Sequence, residues 1–105
     1  MFGTAFKSFD ECVKYIETHK NKRNIKCINV DVSDEDVVRI VSYICENNVK
    51  VKEFCIGYAS KNRKLDFGRL NISNNIEMFI IENYTLEEIK NIWCCNLIID
   101  CSSIK

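Results

Sequence analysis

The sequence predicts an α/β fold, built as an irregular solenoid of about three to four strand–helix units within a single domain. Three observations predict it. An apolar triplet with the spacing i, i+3, i+5 recurs, and its central residues, Ile28, Phe54, Phe79 and Leu97, lie 26, 25 and 18 residues apart. Helix-start signals precede the first, second and fourth triplets. The 105 residues are enough for one domain only, so we expect residues 1–105 to form a single repeat module.

The first unit begins with the segment SFDE, Ser8–Glu11, which places a hydroxyl at a helix N-cap and an acid three residues later. Helical spacing predicts one face formed by Cys12, Val13, Ile16 and, at its end, His19. A strand should follow, with its inward triplet at Ile25, Ile28 and Val30.

The second unit repeats this arrangement more clearly. The segment SDED, Ser33–Asp36, supplies the cap and its acids, which also favour the positive end of the helix dipole. The predicted apolar helix face consists of Val37, Ile40, Val41 and Ile44. The inward triplet of the next strand consists of Val51, Phe54 and Ile56.

The last units are less regular. Residues 59–73 contain no clear cap, and we expect them to be irregular before a strand whose triplet is Ile76, Phe79 and Ile81. The segment TLEE, Thr85–Glu88, predicts a third helix of barely two turns, with Leu86, Ile89 and Ile92 or Trp93 on one face. A weaker triplet of Cys94, Leu97 and Ile99 ends the series. Because no further capped helix follows, we expect either weak self-association through an open C-terminal edge or a truncated natural domain.

A period near 25 residues, with one strand and one helical piece, is typical of a leucine-rich repeat. Each unit would bury its apolar face by stacking on its neighbours. The position that usually carries Asn or Cys instead holds Ser33, Ala59, Tyr84 and Ser102. We therefore predict a degenerate repeat without an asparagine ladder.

Residues between the inward positions should form outward rows across the strands. The rows are Cys27, Glu53, Met78 and Asn96; Asn29, Cys55, Ile80 and Ile98; and Asp31, Gly57, Glu82 and Asp100. An acidic row beside an apolar middle row suits a protein partner with basic and apolar side chains. The candidate binding residues are Asn29, Asp31, Glu53, Cys55, Met78, Ile80, Glu82, Ile98 and Asp100. Alternatively, a helix or loop covers the middle row and the acids are only solvated.

Charge and composition restrict the function classes. Fifteen basic and fifteen acidic side chains give a net charge of zero, so we expect no general attraction to nucleic acid or membranes. The alternative is a small nucleic-acid-associated domain that uses two basic connectors, His19–Lys26 and Lys61–Lys64. No apolar run reaches the roughly 18 to 20 residues that span a bilayer. The odd count of seven cysteines, four of them in apolar runs, favours a reduced intracellular protein, cytoplasmic or nuclear.

The residue types give little support to catalysis or to a cofactor. Cys94, Cys95 and Cys101 raise the possibility of zinc, but adjacent strand residues face opposite ways, and the sequence has no C-x-x-C pair. A cysteine nucleophile needs a base, and His19 is the sole histidine. No phosphate-binding glycine loop is present. We therefore expect a non-enzyme with no metal and no cofactor.

Two segments carry a family resemblance. VSDEDVVRIVSYICENNVKVKEFCI and IEMFIIENYTLEEIKNIWCCNLIIDCSS resemble the modules that follow the F-box in the large nematode F-box families, the F-box-associated and FTH (DUF38) domains. The resemblance covers roughly residues 8–104, although Tyr43 and Ile44 stand where a tryptophan is often found. It implies a substrate-recognition module of a cullin ubiquitin ligase, which binds protein and catalyses nothing. The chain contains no counterpart of the F-box itself.

Overall fold

Two helices and six strands make up the described part of the chain. A computed structural model of this protein describes residues 5–19, 24–57, 65–68, 70, 74–82, 89–90 and 96–100. In chain order the elements are α1 (Phe9–His19), β1 (Ile25–Val30), α2 (Asp34–Glu46), β2 (Val51–Ile56), β3 (Leu65–Asp66), β4 (Ile76–Glu82), β5 (Ile89–Lys90) and β6 (Asn96–Asp100). The predicted α/β class is confirmed at this level.

The main sheet contains four parallel strands in the order β1-β2-β4-β6, which is also their order along the chain. The pairing matches the predicted rows. Cys27 pairs with Glu53, Glu53 with Met78, and Met78 with Asn96. Asn29 and Cys55 lead in the same way to Ile80 and Ile98, and Glu82 pairs with Asp100. The apolar triplets therefore set the correct register.

The core lies on the inward face of this sheet, beneath the two helices. All nine residues of the first three triplets are buried, as are the four predicted apolar residues of α2. On α1 only Cys12 and Ile16 are buried, and Val13 and His19 are half-buried. Phe54 and Phe79 lie with their ring centroids 5.2 Å apart, and Phe67 meets Phe79 edge-on at 5.4 Å.

Both N-terminal helices begin at the predicted serines. The Ser33 hydroxyl accepts a hydrogen bond from the Asp36 backbone N–H at 3.2 Å, and Ser8 accepts from the Glu11 N–H at 3.1 Å. These bonds satisfy donors that the first turn of a helix leaves without an intrahelical acceptor. At the other end of α2, Asn48 adopts a positive φ of 52°, which an asparagine tolerates better than most residues.

The prediction of a third helix is wrong at Ile89, which lies in a strand. Ile89 and Lys90 form β5, which pairs in parallel with Leu65 and Asp66 of β3 in a second, two-stranded sheet. A two-turn helix is marginal by itself, and backbone pairing across the sheet gives Ile89 a competing set of hydrogen bonds. The remaining predicted helix positions, 85–88 and 91–93, lie outside the described residues.

The segment expected to be irregular contains β3 together with two buried side chains, Leu65 and Phe67. Expecting residues 65 and 66 to be irregular was therefore wrong. A strand of two residues is too short for an alternating pattern to predict it. Its partner strand is also remote in sequence, so only the folded chain brings the two together.

The two edges of the main sheet differ. The Phe6 backbone N–H donates to Asn29 O at 2.8 Å, and the Asp31 N–H donates to Phe6 O at 2.9 Å, so residue 6 covers the β1 edge. In the described ranges β6 is the outermost strand at the other edge.

Neither described helix has the length and apolar character that crossing a bilayer requires.

Candidate functional site

The candidate site is the outward face of the main sheet, opposite the core. Cys27, Asn29, Glu53, Met78 and Ile80 all lie on this face and are half-buried. Their register places two apolar side chains on β4 beside the Glu53 carboxylate on β2, and the Cys27 thiol lies on the far side of Glu53, on β1. Half-buried side chains fixed on paired strands form a rigid surface, because each backbone is held by its neighbours.

Cys55 departs from the prediction. It lies in the middle outward row between Asn29 and Ile80, but its side chain is 0% exposed. A thiol is shorter than the carboxylate of Glu53 or the aliphatic side chain of Ile80, so its sulfur lies below the level of these neighbours. Its outward row position is as expected, and its burial leaves Glu53, Met78 and Ile80 as the more accessible side chains of this face.

The same face brings two thiols and a carboxylate together. The Sγ atoms of Cys27 and Cys55 lie 3.9 Å apart. A carboxylate oxygen of Glu53 completes a group whose three ligand atoms all lie within 4.8 Å of one another. Glu53 pairs directly with Cys27 across the strands and precedes Cys55 by two residues, so all three side chains point the same way. Neither Cys27 nor Cys55 forms a disulfide.

Sequence reasoning missed this group, although the outward rows contained it. The three cysteines whose spacing raised the possibility of zinc, Cys94, Cys95 and Cys101, lie outside the described residues. The available signal was the placement of Cys27 and Cys55 in adjacent rows of adjacent strands. Diagonal neighbours of this kind lie close enough for long side chains to meet.

The acidic row contains an ion pair at its first strand. Lys7 Nζ lies 2.9 Å from Asp31 Oδ2, and the side chain of Asp31 is only 22% exposed. Lys7 follows Phe6, whose bridge to Val30 places the lysine beside this row. Asp31 is thus already neutralised by a residue of its own chain. Glu82 and Asp100 continue the row by backbone register, and their side chains, like that of Ile98, are outside the description.

A separate pocket of about 380 Å³ opens at the beginnings of the main strands. Three lysines line it, Lys26, Lys50 and Lys52, together with the carboxylate of Glu77. The Lys50 ammonium donates to the Asn74 carbonyl at 2.8 Å. Of the two predicted basic connectors, residues 20–23 and 61–64 lie outside the described residues, so Lys26 is the described lysine of the first.

Asn75 is a buried polar residue that the sequence reasoning did not single out. Its side-chain amide donates to the Val49 carbonyl at 3.1 Å and to Asn48 Oδ1 at 3.3 Å. Its backbone carbonyl accepts from the Val51 N–H at 2.7 Å. Asn75 therefore joins the turn after α2 to the start of β4. An Asn-Asn dipeptide precedes both β2 and β4, and this repetition was the signal that could have identified Asn75.

The two cysteines of the described helices, Cys12 and Cys45, are poorly suited to act as nucleophiles. Burial raises the pKa of the Cys12 thiol to about 12. Burial, reinforced by the nearby Glu46 carboxylate, also raises the pKa of Cys45. Both thiols are therefore less ionised than a free cysteine, and the thiolate is the reactive form. The His19 ring stacks on Tyr15 at 4.0 Å, and its Nδ1–H donates to the Tyr15 carbonyl at 2.8 Å.

Comparison with known proteins leaves the family open. No protein-family model, curated protein or solved structure matches the chain. The resemblance to F-box-associated and FTH domains therefore stays a prediction.

Proposed function

We propose that this chain is a non-catalytic protein-interaction module, similar to the substrate-recognition part of the F-box proteins of cullin ubiquitin ligases. In this proposal the chain is a degenerate, leucine-rich-repeat-like stack. A partner protein binds the outward face of the main sheet.

Two features of the topology support the stacked arrangement. The main strands follow one another in space as they do in sequence. Two outward rows are in register across all four strands, and Glu82 pairs with Asp100 in the third. The segments after β2 and β4 also pair with each other in parallel, through Leu65 with Ile89. Each of these two units thus contributes one strand to each sheet, as expected for successive turns of a solenoid.

The observation that carries the binding proposal is the composition of the outward face. Met78 and Ile80 are half-buried apolar residues on one strand, and they lie beside the carboxylate of Glu53. Apolar side chains at the centre of a surface, bordered by charge, are typical of the contact regions of protein interfaces. The rigid pairing of the strands lowers the entropic cost of binding, because the surface is already ordered.

Charge favours a partner segment that presents basic and apolar side chains together. Glu53 supplies negative charge near the centre, and Glu82 and Asp100 occupy adjacent register positions farther along. Asp31 contributes less, since Lys7 already neutralises it. The proposed contact region is therefore centred on β2, β4 and β6 rather than on β1.

The test compares one substitution on this face with one control substitution on α2. Partners are captured on the immobilised chain from a eukaryotic cell extract, and the affinity of each purified partner is then measured. Ile80→Asp should weaken binding at least about tenfold, since a carboxylate would replace an apolar contact. Val38→Asp, at a half-buried residue of α2, is the control and should leave affinity unchanged. Circular dichroism must show that both variants remain folded.

Two results would contradict the proposal. A partner that binds the Ile80→Asp variant as tightly as the native chain does not use this face. A partner lost only in the Val38→Asp variant would place the interface on the helical layer.

The nucleic-acid alternative has one observation in its favour, the pocket lined by Lys26, Lys50 and Lys52. Binding through these lysines should weaken steeply as salt rises, because phosphate contacts release counterions. Fluorescence anisotropy with a single-stranded oligonucleotide can measure this. Replacing Lys26 and Lys52 by alanine should reduce the salt slope, whereas Lys14→Ala on α1 should not. Equal binding by both variants would exclude the pocket as the contact.

A further inference from the structure

The group formed by Cys27, Glu53 and Cys55 has the geometry of a metal site. We propose that it binds a thiophilic divalent cation, zinc, through the two thiolates and the carboxylate. This inference does not depend on the proposed function, because it needs no partner and rests on three side chains alone. It replaces the expectation of no metal, which was drawn from other cysteines.

The sulfur–sulfur distance carries the argument. Zinc binds cysteine sulfur at about 2.3 Å with tetrahedral angles, so two thiolates on one zinc ion lie about 3.8 Å apart. The Sγ atoms of Cys27 and Cys55 are separated by 3.9 Å. An ion placed between them would therefore need almost no movement of either strand.

A disulfide fits the same pair poorly. Its sulfur–sulfur bond is about 2.05 Å long, and its Cα atoms usually lie within about 6.8 Å of each other. Cys27 pairs in register with Glu53, so Cys55 is its diagonal neighbour. Cα atoms of diagonal neighbours lie about 7–8 Å apart. The hydrogen bonds between β1 and β2 oppose the closer approach of the two Cα atoms that a disulfide requires. The same hydrogen bonds are compatible with the sulfur–sulfur distance of two thiolates that share one zinc ion.

Glu53 supplies the third ligand. With a zinc–oxygen distance of about 2.0 Å, a carboxylate oxygen would lie about 3.5 Å from each sulfur in a tetrahedral site. The three ligand atoms already lie within 4.8 Å of one another, and rotation of the half-buried glutamate side chain can close the remainder. Three protein ligands leave a fourth position for a water molecule.

The donor set determines the class of ion. Two thiolates with one carboxylate suit zinc, because magnesium and calcium prefer oxygen ligands throughout. Binding forms two zinc–sulfur bonds and one zinc–oxygen bond, and it transfers one proton from each thiol to solvent. The ion's two positive charges offset two of the three negative charges of the ligands. Affinity must therefore rise with pH, by up to about 100-fold per pH unit while both thiols are protonated in the free protein.

The first experiment titrates the reduced chain of residues 1–105 with Co²⁺, which gives an optical spectrum where zinc does not, and then displaces the Co²⁺ with Zn²⁺. We expect sulfur-to-cobalt charge-transfer absorption, intense tetrahedral bands, and two protons released per ion at pH below the thiol pKa. The titration is repeated on Cys27→Ser, on Glu53→Gln and on Cys45→Ser. Cys45 is a half-buried cysteine on α2, outside any disulfide, and is the matched control.

The variants separate this site from every other cysteine of the chain. Cys27→Ser should weaken Zn²⁺ binding by more than the roughly 10- to 100-fold that loss of an outer-shell partner costs. It should also reduce proton release to one. Glu53→Gln should weaken binding with the charge-transfer band retained, and it keeps the test decisive if the serine variant does not fold. Cys45→Ser should behave like the native chain.

The proposal is overturned by any of three results. The first is equal Zn²⁺ affinity in the native and Cys27→Ser chains, because the ion would then be bound elsewhere. The second is a Co²⁺ spectrum without charge-transfer absorption from sulfur. The third is proton release that does not change when Cys27 is replaced.

Discussion

The alternation of buried and outward residues on β4 gives the sharpest test of the fold, through substitution of Phe79 and of its neighbour Met78. Phe79 is 0% exposed and its ring contacts two others, Phe54 at a centroid distance of 5.2 Å and Phe67 at 5.4 Å. Met78 precedes it and lies half-buried on the opposite face. The two residues thus share a strand and differ in the side of the sheet that they face.

The expected magnitudes follow from these surroundings. Phe→Ala in a core costs about 3–5 kcal/mol of unfolding free energy, and each aromatic pair adds about 0.5–1.5 kcal/mol beyond the buried area. With two such pairs, Phe79→Ala should lie near the upper end, about 4–5 kcal/mol. Met78→Ala should cost about 1 kcal/mol, because its side chain stays partly in water in the native state.

Urea unfolding, followed by circular dichroism, measures both values. For a slope of about 2 kcal/mol/M, loss of 4 kcal/mol lowers the midpoint by about 2 M, and Met78→Ala lowers it by about 0.5 M. A double-mutant cycle between Phe54→Leu and Phe79→Leu should give a coupling of about 0.5–1.5 kcal/mol. If Met78→Ala costs more than Phe79→Ala, the assignment of the two faces is reversed and the argument for the binding face fails with it.

Two further predictions concern the helices. Ser33→Ala should lower the unfolding free energy by about 1 kcal/mol, because the hydrogen bond from the Asp36 N–H is lost. The control, Ser42→Ala within α2, should be neutral or stabilising. Midpoints of urea unfolding measure both effects, and equal effects would contradict a capping role for Ser33. Burial raises the pKa of the Cys12 thiol from its ordinary value of 9.0 to about 12. The contribution of this thiol to stability is therefore present below pH 9 and is lost as pH rises from 9 toward 12. The native chain should therefore lose more stability than Cys12→Ala between pH 8 and pH 10, and parallel pH profiles would contradict this.

Sequence patterns predicted the main sheet well because burial and register depend on the same residues. The last two residues of each triplet lie two positions apart and therefore share one face of the strand, and a slip of one residue would turn both to the other face. Phe54 and Ile56 therefore determine both the buried face and the pairing of β2. The helix α2 was equally clear, since its cap and its apolar spacing agree.

The errors arose where local and tertiary signals disagree. TLEE is a good local start for a helix, but Ile89 pairs with Leu65, a residue that nothing nearby in sequence indicates. The burial of Cys55 could not be predicted either, since alternation gives the face of a residue and not the height of its neighbours. The short distance between the Cys27 and Cys55 sulfur atoms could be predicted only after the strand register and the directions of both side chains were known.

The two proposals for the outward face can fail separately, because their decisive residues differ. Ile80 lies on β4 and supplies no metal ligand, so Ile80→Asp tests partner binding while leaving the zinc ligands in place. Cys27→Ser removes a zinc ligand from β1, outside the proposed contact region. Glu53 belongs to both, and coordination would neutralise the charge that it offers to a basic partner. If both proposals hold, zinc should therefore weaken partner binding in the native chain and have no such effect in the Cys27→Ser variant.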